Sequence, residues 1–285
     1  LKKLFHSSQV QEYERMYFSK GNSDKELMLR AAKITAEYIK ENYENKKYIC
    51  VCGPGNNGGD GYYIGIYLFK AGFDVKIINA LAYKTKSQLC FEAFNIAHDL
   101  NLIHEPSILN NFNKDVLIID AIFGTSLKGS LDESIINLIQ IMNSYEYIFS
   151  IDIPSGINPD TGAGCEVYVN ANKTISFVGR KLGLSLNEGK IATGEKYFHD
   201  LSLYMENDYH AAATEYAFKD VESLLQKRPS NSHKGHFGST LVLGGDKDMG
   251  GAAIMAAEAA LKSGSGLVSL CLLYTSDAAD ETCRV

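Results

Sequence analysis

Three segments of the chain carry side chains able to do chemistry on a bound polar ligand. Residues 53–61 (GPGNNGGDG) hold five glycines, two adjacent asparagines and Asp60. Glycines there let the backbone turn sharply and approach a ligand with no Cβ in the way. The N–H groups freed at a following helix start suit a phosphate. Asp60 reads either as the N-cap of that helix or as a group facing the ligand. Asp120 follows the apolar run VLII and opens AIFGTSLKG, and Asp152 ends YIFSI and opens IPSG. A carboxylate beside a bound polar ligand can accept a hydroxyl proton or bind a cation. Asn57, Asp120 and Ser155 together offer oxygens of the kind a hard cation takes.

These groups need strand ends and helix starts to carry them. Residues 48–52 (YICVC) are nearly all apolar and stop at Gly53, the pattern of a parallel strand buried on both faces. Residues 74–79, 116–119, 147–151 and 174–177 give four more strands. Helices are expected over 9–18, 24–43, 61–71, 87–100 and 132–142, the second capped by Ser23 or Asp24. Alternating strand and helix imply a parallel sheet between helix layers, with ligands at the carboxyl ends of the strands. Read from Gly53, the loop also satisfies G-x-G-x-x-G, the fingerprint of dinucleotide-dependent oxidoreductases. That fingerprint needs an acidic residue at the end of the next strand, where Asn79 and Ala80 stand instead. Residues 206–218 are polar and irregular and read as a linker. Beyond them come a short helix near 220–226, a strand at 240–243 and a small-residue helix at 250–263.

The 285 residues are 45% apolar and 22% charged, enough apolar matter for a sizeable core. A net charge of −6 disfavours sequence-independent nucleic-acid or anionic-membrane binding. The six cysteines form no C-x-x-C pair, and Cys50 and Cys52 sit in an apolar strand, so a reduced, cytoplasmic chain is expected. No apolar run is long enough to span a membrane. The first residue is Leu1, which suggests a start inside a longer reading frame, with any targeting segment upstream.

Taken together, GNNGGDG, DAIFGTSLKG, DIPSGINPDTG and TISFVGRKLGL resemble the NAD(P)H-hydrate epimerase domain in order and approximate spacing. The resemblance implies a Rossmann-like three-layer αβα sandwich with a mostly parallel sheet, commonly a homodimer. The implied substrates are NADHX and NADPHX, dinucleotides hydrated on the nicotinamide ring, and the implied reaction interconverts their R and S epimers. By likeness, Asn56, Asn57, Gly58, Gly59, Asp60, Gly124, Thr125, Ser126, Leu127, Lys128, Gly129 and Ser130 hold the substrate. Asp152 hydrogen-bonds it and carries the proton transfer, and Asn57, Asp120 and Ser155 ligate one potassium ion.

RPSNSHKGHFG, LVLGGD and GGAAIMAAEAALKSGSGLVSL resemble the opening of the ADP- or ATP-dependent NAD(P)H-hydrate dehydratase domain. The expected division is an epimerase domain at 1–205, a linker at 206–218, a truncated dehydratase domain at 219–270 and a tail at 271–285. The tail CLLYTSDAADETCRV resembles translated sequencing-adapter read-through. About 50 residues cannot bury an α/β core alone, so neither dehydratase activity nor ADP or ATP binding is expected. Two other readings are a catalytically silent nucleotide-binding or scaffold module and a conventional oxidoreductase. The three intact site segments argue against the first, and the missing strand-end acid against the second.

Overall fold

A computed structural model describes residues 1–43, 47–82, 84–111, 116–125, 129–224, 227–246 and 250–272. The chain opens with β1 (Lys2–Leu4), α1 (Ser7–Ser19) and α2 (Asp24–Asn42), then β2 (Lys47–Cys52), α3 (Asn56–Lys70), β3 (Val75–Asn79) and α4 (Gln88–Asp99). It continues through β4 (Ile103–His104), β5 (Val116–Ala121), α5 (Glu133–Met142), β6 (Tyr147–Ile151) and β7 (Lys173–Phe177). This unit closes with α6 (Asn187–Ala192), β8 (Glu195–His199), α7 (Met205–Asp208) and β9 (Ala213–Glu215).

Alternation along β2 explains the layering. Tyr48, Cys50 and Cys52 face one core with Leu117, Ile119 and the inner sides of α2 and α3. Ile49 and Val51 face the other, with Ile118 and with Ile135 and Ile139 of α5. Successive strand residues point to opposite faces, so a strand apolar on both must be covered twice. Each fully buried aliphatic side chain of this kind contributes roughly 1.5–3 kcal/mol. The result is a Rossmann-like three-layer sandwich around a seven-stranded parallel sheet in the order β4-β3-β2-β5-β6-β7-β8. The chain runs outward from β2 to β4, then returns to place β5 on the other side of β2. That reversal is the switch point at which open α/β sheets bind ligands.

Two local expectations change. α3 begins at Asn56, not at residue 61, with Gly55 in the N-cap position. A Cβ on Gly58 would stand 1.9 Å from the Gly53 carbonyl oxygen, so only glycine lets this first turn settle onto the preceding loop. Asp60 therefore lies inside the helix and does not cap it. β5 extends to Ala121, and Asp120 is a strand residue, paired with Val51 of β2 and Ser150 of β6. The short or charged strands β1, β4, β8 and β9 have too little apolar alternation to stand out in sequence. β9 pairs antiparallel with β1, which brings part of the polar stretch at 206–218 into a sheet.

Ser23 rather than Asp24 caps α2, its hydroxyl accepting from the Glu26 N–H at 3.2 Å. Ser23→Ala is expected to lose roughly 0.5–2 kcal/mol. A thermal melt should read this as a fall of about 2–4 °C per kcal/mol for a unit of this size.

Leu1–Ala217 form one compact unit, and a second begins at Phe218. There α8 (Phe218–Val221) precedes β10 (Ser239–Gly244), α9 (Gly250–Lys262) and β11 (Leu267–Leu272). β10 and β11 pair in parallel, and the strand pair continues through Cys271. Leu241 and Leu243 are 61% and 64% exposed, because no further layer covers them among the described residues. No described helix is long and apolar enough to cross a membrane.

Candidate active site

The switch point sets the glycine loop of β2 beside the end of β5. The Gly53 N–H donates to the Ala121 carbonyl at 3.0 Å, and Gly53 packs so closely that a Cβ would come within 1.9 Å of the Ile122 oxygen. Helix α3 then points its first turn at the same place.

Asp120 is fully buried. Its Oδ1 accepts from Ser155 Oγ at 2.6 Å and from the Ile122 N–H at 3.3 Å. Its Oδ2 accepts from Ser150 Oγ and the Ser155 N–H, both at 2.8 Å. Burial holds its carboxyl above the ordinary range, and these hydrogen bonds pull it back toward the ionised form. Ser155 Oγ also accepts from the Phe123 N–H at 3.0 Å, while the Phe123 carbonyl accepts from Asn57 Nδ2 at 2.9 Å. Phe123 is thus clipped between Asn57 and Ser155. Asn57 Oδ1 is buried and has no hydrogen-bond partner among the described residues. A buried, unmet oxygen linked through Phe123 to a serine hydroxyl and a carboxylate offers oxygens of the kind a hard cation takes. Asp120 contributes negative charge to it, its own lone pairs being occupied.

Asp152 follows β6 in the left-handed region, φ 65°, its N–H held by the Ile175 carbonyl at 2.7 Å. Its carboxylate pairs with the ammonium of Lys181, which is only 2% exposed. Lys181 also donates to the Phe177 carbonyl at 2.8 Å. A charge buried this deeply stays only because these acceptors surround it.

A cavity of about 730 Å³ opens over this edge. Asn56, Asn57, Asp60, Gly124, Thr125, Ser130 and Asp152 all line it. Gly58 and Gly59 are buried behind it, against Gly53 and Met28. Asp120 and Ser155 also lie behind it, so Asp120 supports the rim from inside the sheet. Gly129 lines a smaller cavity of about 220 Å³ with Gly156 and Asn158. Ser126, Leu127 and Lys128 lie outside the described residues. Five charged residues that line the large cavity, Glu14, Asp24, Lys84, Asp132 and Lys181, were not among the expected site residues. Glu14 of α1 and Lys181, in the loop after β7, both reach the large cavity. Lys181 stands inside TISFVGRKLGL, whose position after a strand was its available signal. Glu14 sits mid-helix, with no strand end or glycine to mark it.

The model of the YjeF-related protein N-terminus family matches residues 24–183, which include β2, the glycine loop, Asp120, Asp152 and Lys181. The chain belongs to that family. A second family model, NAD(P)H-hydrate dehydratase, matches residues 240–282 and so runs into the segment after 270. The bifunctional NAD(P)H-hydrate repair enzyme Nnr of Coxiella burnetii is 35% identical over 272 residues, covering 94% of this chain and 56% of that one. The Nnr of Escherichia coli is 35% identical over 255 residues, covering 85% of this chain and 48% of its own length. The chain thus spans about half the length of the curated relatives it matches. The crystal structure of yeast YNL200c shares the fold at a TM-score of 0.58 and 20% identity, over 69% of this chain and 87% of that one.

Proposed function

We propose that the unit Leu1–Ala217 interconverts the R and S epimers of hydrated NADH and NADPH, as a step in nicotinamide-nucleotide repair. The observation that carries this reading is the Asp152–Lys181 pair, set in the wall of the large cavity beside the glycine-led start of α3. The names of its relatives as NAD(P)H-hydrate repair enzymes support the same substrate class.

In this reading the first turn of α3 binds the phosphates through its free N–H groups, with Asn56 and Asn57 alongside. The hydrated ring carries a hydroxyl on C6, next to the ring nitrogen N1. Asp152 takes part in the proton transfer at that oxygen as the C6–O bond breaks and re-forms on the other face. Lys181 keeps the carboxylate aimed between these events. Asn57, Asp120 and Ser155 would hold a potassium ion, which supplies fixed positive charge beside the loops. The open Oδ1 of Asn57 is the atom that favours it. The second unit contributes no dehydratase activity in this reading, because among the described residues its β–α–β element leaves Leu241 and Leu243 uncovered.

The test is epimer exchange on purified R-NADHX, followed by NMR or chromatography, in potassium and then in sodium. The S epimer is expected faster than in buffer, with a lower rate in sodium. No acceleration by folded protein would leave a nucleotide-binding module. Absorbance change with NAD and an oxidisable substrate would indicate an oxidoreductase.

A further inference from the structure

We propose that Glu14 is the second proton-transfer residue of this site, working with Asp152 on the two faces of the substrate ring. The proposal rests on the epimerase reading. Inverting C6 takes two proton events, since the departing hydroxyl must gain a proton and the incoming water must lose one. One carboxyl in acid form and one in base form meet both needs.

The cavity holds such an unequal pair. Asp152 has the buried ammonium of Lys181 as its partner. Glu14 reaches the same cavity from α1, partly buried, and no hydrogen bond from the described residues perturbs its carboxyl. Burial pushes Glu14 up to about 7; the charge of Asp152 adds to this and that of Lys181 opposes it. Among the described residues the other carboxyls lining the cavity are Asp24 of α2, Asp60 of α3 and Asp132 at the start of α5, Asp132 being paired with Lys84 at 2.9 Å. Asp60 is also pushed up, by burial first and then by Asp152 and Glu14. Two carboxyls with unequal environments around one ligand are the arrangement that divides acid from base.

The step balances without an oxidant. Glu14 gives its proton to the C6 oxygen as the C6–O bond breaks and the N1 lone pair closes a C6=N1 bond. Water then adds to C6 from the other face, forming the new C6–O bond, and Asp152 takes the proton released. The opposite direction uses the same groups reversed. Both directions need one proton shared by the pair, so kcat/KM should fall about tenfold per pH unit once Glu14 ionises, above a limb near 7. The sign follows from the raised carboxyl: protonated below the limb, ionised above it.

The experiment is the pH profile of R-NADHX exchange, with the buffer rate subtracted, for the parent chain and for Glu14→Gln. The variant is expected to lose at least ~100-fold in kcat, to change KM little, and to lose the alkaline limb. A variant within about twofold of the parent, with the limb intact, overturns the proposal while leaving the epimerase reading standing. Should Glu14→Gln not fold, the parent profile is set against that of Asp60→Asn: a limb near 7 that survives in Asp60→Asn supports Glu14, and a flat parent profile from pH 6 to 9, or a limb lost in Asp60→Asn, removes it. A parent chain with no exchange at any pH removes the epimerase reading and this proposal with it.

Discussion

Asp152→Asn is expected to slow epimer exchange by roughly 10²–10⁴-fold, the usual contribution of a placed acid–base group. The amide keeps the size of the side chain and loses its capacity to take a proton. It also strips Lys181 of its anionic partner, leaving an ammonium that is 2% exposed with the Phe177 carbonyl at 2.8 Å and Ser176 Oγ at 3.4 Å. Removing one half of a buried pair costs roughly 3–5 kcal/mol, because the other half stays desolvated. Slow exchange and a lower melting temperature should therefore appear together. The double change Asp152→Asn with Lys181→Met separates them, since it removes the stranded charge without restoring the base. Its melt should recover toward the parent while exchange stays slow. Exchange at the parent rate in Asp152→Asn would dispose of the proton-transfer role.

The second large effect is expected at Gly53, where the ligand-binding edge depends on backbone meeting backbone. A Cβ there would lie 1.9 Å from the Ile122 carbonyl oxygen, a clash no rotamer relieves. Gly53→Ala must push β5's end away from the glycine loop. Phe123, one residue on, is held by Asn57 and Ser155, so the shift is carried into the oxygen cluster around Asp120. Overpacking of this kind costs about 1–3 kcal/mol. Misplacing the site by about 1 Å can cost ~100-fold in rate. A thermal melt and the exchange assay check both, and a variant matching the parent in each would sink the argument from close approach.

Much of this architecture is written locally. YICVC, VLII, YIFSI and TISF are apolar runs too short for helices, and each becomes an interior parallel strand. Two-sided burial is the only way to cover such a run, so composition suffices. Position after a strand likewise marks Asp152, and glycine density marks the loop after Cys52. Helix starts are less legible. The glycines at 55–61 read as loop residues because glycine is a poor helix former, yet Gly58 is in α3 because the space against Gly53 admits nothing larger. That space exists only once the helix has docked.

The assembly of the site belongs to tertiary structure alone. Asp120 looks like a strand-end rim residue, but pairing with both β2 and β6 draws it into the sheet, where Ser150 and Ser155 occupy its oxygens. Glu14 and Lys181 lie far apart in the chain, and nothing in the periodicity around either predicts that they share a cavity with Asp152. Side-chain pattern reports which way a residue faces within its own element. Which elements then face one another is set by strand order and by the reversal between β2 and β5, and through them by the cores on both sides of the sheet.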